Sequence, residues 1–146
     1  MIGFIVLGIV AIAIVAVCLR IDNWSRDLTT HYAKLADDHP DPKLRPPRLS
    51  ESAEVVAQRI EAWTGKQSKW KVVERKTTDH GIHLHLTRTT PLFRFVDDVH
   101  VALIRAGDGC RMEAESQSRV GKGDLGQNPR NLKELNAALL SERIAS

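Results

Sequence analysis

At 146 residues the chain has room for one modest hydrophobic core, not two. Its net charge of +3 comes from interspersed acidic and basic residues, and aromatic residues make up only 5%, which excludes a basic stripe or a base-stacking surface for nucleic acid. The two cysteines, Cys18 and Cys110, stand in segments of different character, which excludes a disulfide framework and a CxxC metal knuckle.

Ile2 to Leu19 is unbroken apolar sequence without proline, charge or amide side chain. As a helix it would be about 27 Å long, close to the ~30 Å of a bilayer's hydrocarbon core. A buried core helix would need an opposite polar face, and this segment has none. No Lys or Arg precedes the run and no A-x-A site follows it, so an uncleaved transmembrane anchor over residues 1–20 is expected rather than a signal peptide. The expected localisation is therefore a single-pass membrane protein with the lipid bilayer as partner. Arg20, Arg26 and Lys34 follow the span, which favours a cytoplasmic C-terminal domain.

Trp24, Leu28, Tyr32 and Leu35 recur at helical spacing and predict a juxtamembrane helix. Asp37 to Arg48 carries four prolines and reads as an extended linker, so residues 21–48 form a connector and 49–146 a small α+β domain. Ser50 is the expected N-cap of an amphipathic helix with Ala53, Val56, Ala57, Ile60 and Trp63 on one face and Gly65 at its end. Four strands follow. Trp70 to Lys76 is mixed, while Ile82, Leu84 and Leu86, then Val99, Val101 and Leu103, then Cys110, Met112 and Ala114 alternate with polar neighbours. Asp79-His80-Gly81 and Gly107-Asp108-Gly109 are turn sequences between them. A last helix opens with Asn128 as N-cap and Pro129 behind it, with Leu132, Leu135, Leu139 and Leu140 as its stripe. The predicted fold class is α+β: a four-stranded antiparallel meander sheet with two helices packed on one face, preceded by an N-terminal transmembrane helix.

A register pairing Leu86 with Val99 and Val101 with Ser116 matches core to core. It gathers His83, His85, His100, Asp98, Glu115, Gln117 and Arg119 on the outer face. Three imidazoles converging on a point could bind zinc or copper, but a solvated polar face is what any half-buried antiparallel sheet presents. Asp97 and Asp98 are adjacent in a strand and so point to opposite faces, which excludes joint acid–base work. By parity Asp98 sits near Arg119 and Asp97 near Arg88, as two ion pairs in one polar cluster. Gly121-Lys122-Gly123-Asp124-Leu125-Gly126 matches G-x-G-x-x-G, yet no parallel strand and no ribose-binding acid follow, so a dinucleotide site is excluded. What survives is an anion site: the turn's backbone N–H groups and the helix start at Asn128, with Arg119, Lys122 and Arg130 close by. The alternative is a glycine-rich turn alone.

The string Phe93-Arg94-Phe95-Val96-Asp97-Asp98-Val99, followed by Ser118-Arg119-Val120-Gly121, Asp124-Leu125-Gly126 and Asn128, resembles the bacterial and plastid proteins grouped as domain of unknown function 1499. The resemblance spans Ser50 to Ala138. Members usually begin with a Cys-Val-Ser-Ser element, which this chain lacks around His39 to Ser50, and often carry Glu where His100 stands. The resemblance implies a fold and a residue shortlist, not a reaction.

Three functional expectations follow. The first is a binding or scaffold domain, taking an anionic ligand at Arg119, Gly121, Lys122, Gly123, Asp124, Gly126 and Asn128. The second is a small hydrolase or metal-dependent enzyme using His83, His85 and His100. The third is an accessory subunit of a membrane complex, with a protein partner there. No catalytic residue and no cofactor is assigned.

Overall fold

The computed structural model describes residues 2–18, 30–91, 94–120 and 125–141. In chain order its elements are α1 (Ile2–Cys18), β1 (Tyr32–Lys34), a 3-10 turn (Pro42–Leu44), β2 (Arg48–Leu49), α2 (Ala53–Gly65), β3 (Trp70–Thr78), β4 (Gly81–Thr89), β5 (Val96–Ala106), β6 (Gly109–Ser118) and α3 (Gln127–Ser141). The alternating stretches become β3 to β6, joined as consecutive antiparallel hairpins. β1 and β2 both pair with the free edge of β6, one at each end. The sheet therefore has six strands, not four. Strands of three and two residues are too short to show a period of two, which is why the sequence hid them.

Among the described residues no helix is long and apolar enough to cross a membrane. The expected transmembrane helix, single-pass topology and membrane localisation are corrected accordingly. Among the described residues α1 runs for 17 residues, Ile2–Cys18. Trp24 and Leu28 of the expected juxtamembrane helix lie outside the described residues. Tyr32 belongs to an edge strand instead.

The proline-rich stretch is a packed strap rather than an extended linker. Leu35 and Leu44 are buried in the core, Ala36 N–H donates to the Leu44 carbonyl at 3.1 Å, and Lys133 pairs with Asp41 at 2.9 Å. α2 is capped by Ser52, not Ser50, whose hydroxyl accepts from Val55 N–H. Its buried face is Ala53, Val56, Ala57 and Ile60, and Arg75 of β3 clasps Glu54 and Glu61 on it. α3 presents Leu132, Leu135 and Leu139 to the same core. Both helices lie over the inner rows Ile82, Leu84, Leu86; Val99, Val101, Leu103; and Cys110, Met112, Ala114. The opposite face of the sheet carries neither.

Leu86 faces Val99 as expected, but Val101 faces Ala114, and Ser116 faces Val99. The two-residue slip leaves every side chain on its expected face, because the pleat repeats every two residues. The turn decides it: Ala106 pairs Gly109 across Gly107-Asp108, with Gly107 at φ 61°, a glycine-first two-residue loop.

Candidate functional site

Beneath the end of the sheet, the inner rows stop being apolar. Ser116 and Ser118 continue the inward row of β6, and both are buried, as are Asp97, Gln127, Asn128 and Asn131. Ser118 Oγ donates to Asp97 Oδ1 at 2.6 Å, and Asn131 Nδ2 donates to Asp97 Oδ2 at 2.9 Å and to Ser116 Oγ at 3.1 Å. Ser116 Oγ in turn donates to Asn128 Oδ1 at 2.6 Å, while Asn128 Nδ2 donates to Ser118 Oγ and to the His31 carbonyl. Gln127 Nε2 donates to Asn131 Oδ1 at 2.8 Å. These bonds lock the first turns of α3 to β5, β6 and the residue before β1. Asn128 thus stands inside α3, its side chain bonded to the sheet rather than capping the helix.

Arg88 lies opposite Asp97 in the ladder, but the expected ion pair between them is replaced. Its Nε donates to Glu134 of α3 at 3.3 Å, and Trp70 Nε1 reaches the same carboxylate at 3.1 Å. Trp70 sits within 5.0 Å of Trp63, centroid to centroid.

On the outer face Asp98 is the centre. Arg119 donates Nε to Asp98 Oδ2 and Nη2 to Oδ1, both at 2.7 Å, a side-on fork. His85 Nε2 meets Asp98 Oδ1 at 2.7 Å. Arg119, then His85, hold the Asp98 carboxyl down at about 2 against the penalty of partial burial. Asp98 in turn raises the pKa of Arg119. His85 and His100 stack, 4.5 Å between centroids. One strand further, Tyr32 O–H donates to Glu115 at 2.9 Å, and partial burial, then that carboxylate, push the phenol's pKa up. A depression of about 450 Å³ on this face is lined by His83, His100, Lys34, Arg111, Glu113 and Glu115.

His83 lies across from Ala102, while His85 is committed to Asp98. Among the described residues no group of three His, Cys, Asp or Glu side chains could hold a metal ion. Of the glycine-rich turn, residues 121–124, including Gly121, Lys122, Gly123 and Asp124, lie outside the described residues. Leu125 and Gly126, which lead into α3, have φ of 52° and 72°, and Arg130 Nη2 donates to the Leu125 carbonyl at 2.7 Å.

Sequence reasoning placed Ser116 in the core register and Ser118 in the family motif but gave neither a polar role, and it did not single out Asn131 or Glu134. The first two carried a signal, as polar residues continuing the inward parity of Met112 and Ala114. Asn131 likewise falls three residues after Asn128 and four before Leu135, on the buried stripe of α3.

A family model described as "Protein of unknown function (DUF1499)" matches residues 22–139. No curated protein matches the chain, and no solved structure does.

Proposed function

Because the chain belongs to the DUF1499 family, whose description names no activity, we propose a function from its geometry: a binding module that takes an anionic group at Arg119. The observation that carries this reading is the fork between Arg119 and Asp98. Of the five N–H donors of a guanidinium, that fork spends two. The side chain is 51% exposed, and His85 steadies Asp98 from the other side. A cation held in one orientation with donors to spare loses little freedom when it meets an anion.

The sequence that follows Arg119 adds cationic and glycine residues to this reading. Arg130 folds onto the Leu125 carbonyl, and the intervening sequence contributes Lys122, Gly121 and Gly123. Asn128 and Asp97 hold the start of α3 in place from beneath. Asp124 is the one acidic residue between Arg119 and Arg130 in the sequence.

Inorganic phosphate and vesicles of phosphatidylserine or phosphatidylcholine, titrated separately against the full chain at low and moderate salt, test the reading. Arg119→Gln should weaken binding about tenfold at low salt. Binding of phosphate alone identifies a free anion, and binding only of phosphatidylserine vesicles a lipid headgroup. Equal binding by wild type and Arg119→Gln would reduce this region to a structural ion pair.

A further inference from the structure

A groove of about 590 Å³ runs between the proline-rich strap and the C-terminal half of α3, away from Arg119. Its apolar lining is Pro42, Pro46, Pro47, Ala137 and Leu140, and Leu140 remains 47% exposed. Its polar lining is mostly basic. Lys43, Arg45 and Arg48 all reach it; among the described residues none forms a close ion pair, although the charge of Lys43 acts on Asp41. The carboxylates nearby are occupied: Glu134 holds Arg88 and Trp70, and Asp41 holds Lys133.

Asn136 lies at the base of the groove and is only 4% exposed. Its Nδ2 donates to the Lys43 carbonyl at 2.8 Å and to the Arg45 carbonyl at 3.2 Å. Those two acceptors fix the amide, because a flipped oxygen would face both carbonyls. Its Oδ1 is buried and has no hydrogen-bond partner. Asn136 thus ties the strap to α3 beneath the groove.

We propose that this groove docks a short acidic segment of a protein partner carrying one apolar side chain. The spacing of the charges favours a chain over a single small anion. Lys43, Arg45 and Arg48 are spread over six residues of the strap, which reaches an extended backbone at Arg45, so one carboxylate cannot neutralise all three. An acidic segment laid along the strap meets them in turn. An apolar side chain of the segment covers Leu140 and the prolines.

The test is fluorescence polarisation with the full chain and two fluorescein-labelled hexapeptides, DELDEG and KKLKKG. The acidic peptide should bind and the basic one should not. Lys43→Gln combined with Arg48→Gln should weaken DELDEG about tenfold, and Leu140→Asp similarly. All three side chains are exposed, so these changes leave the core intact. Arg119→Gln should leave peptide binding unchanged, which separates this site from the anion site on the outer face. Equal binding of both peptides, or wild-type affinity in the strap and Leu140 variants, would overturn the proposal.

Discussion

Replacing Asp97 by alanine tests whether the buried polar network is what joins α3 to the sheet. Asp97 is 1% exposed, and its two oxygens accept from Ser118 Oγ and Asn131 Nδ2. Alanine leaves the Ser118 hydroxyl and one Asn131 N–H buried without those acceptors. Each orphaned group costs about 1–3 kcal/mol, so a loss of about 2–6 kcal/mol is expected, a large share of the ~5–15 kcal/mol that holds a typical domain. Asparagine at the same position should cost less than half as much. Its oxygen can accept from Asn131, while its nitrogen donates to Ser118 Oγ, whose hydroxyl turns to suit. Urea unfolding followed by circular dichroism reads both values. With a slope of ~1–3 kcal/mol per molar urea, the alanine variant's midpoint should fall by at least about 0.7 M. Asn131→Ala combined with Asp97→Ala should cost less than the two single losses added, because both remove one shared bond. A loss below about 1 kcal/mol for Asp97→Ala, at unchanged slope, would refute the reasoning. Equal losses for the alanine and asparagine variants would show that the charge of Asp97, not its bonds, holds the network.

Three further outcomes are expected. The Asp98 carboxyl is held at about 2 by Arg119 and then His85, below its unfolded value of ~3.9; its contribution is therefore complete above about pH 4 and lost as pH falls towards 2. Asp98→Asn should flatten the acid limb of the stability–pH curve in that window, and an unchanged limb would contradict the pairing. Gly109→Ala would put a Cβ 2.1 Å from the Leu49 carbonyl oxygen, so β2 should detach from β6 at a cost of about 1–3 kcal/mol; faster hydrogen exchange at Met112 N–H, which donates to Pro47, reports it. Trp70→Phe removes the donor to Glu134 and should cost about 0.5–1.5 kcal/mol, measured by thermal unfolding.

The long elements were legible because burial repeats along them. Ile82, Leu84 and Leu86 or Val99, Val101 and Leu103 alternate cleanly, and each row does line the core. What escaped has a physical reason in each case. β1 and β2 owe their conformation to the edge of β6, not to any pattern of their own. The strap's prolines resemble a linker locally, yet Leu44 buries itself and Asn136 ties two strap carbonyls from a distance of more than 90 residues. The apolar run of α1 has the composition of a membrane span, yet among the described residues no helix is long and apolar enough to cross a membrane. Arg88 faced a correctly placed Asp97 in the ladder and still chose Glu134. Strand parity assigns a face, whereas a long side chain's partner depends on the helix that covers that face.

Under the proposed function, the adjacent carboxylates Asp97 and Asp98 take different roles on the two faces of one strand. Pleating sends them to opposite faces, and their surroundings then diverge. Asp97 lies under α3, where every bond it makes is to another part of the chain, so its removal is expected to be felt as lost stability. Asp98 lies on the face opposite α2 and α3, where its fork leaves Arg119 half exposed with donors in hand. The inner network fixes the start of α3, and α3 follows directly from the turn that Arg119 introduces. A change at Asp97 should therefore move ligand affinity only as far as it moves stability, whereas Asp98→Asn should alter affinity more than stability at neutral pH. Phosphate titration of Asp98→Asn and Asp97→Asn beside their urea curves separates the two. If both variants shift affinity and stability in the same proportion, the two faces form one structural unit and the anion site loses its support.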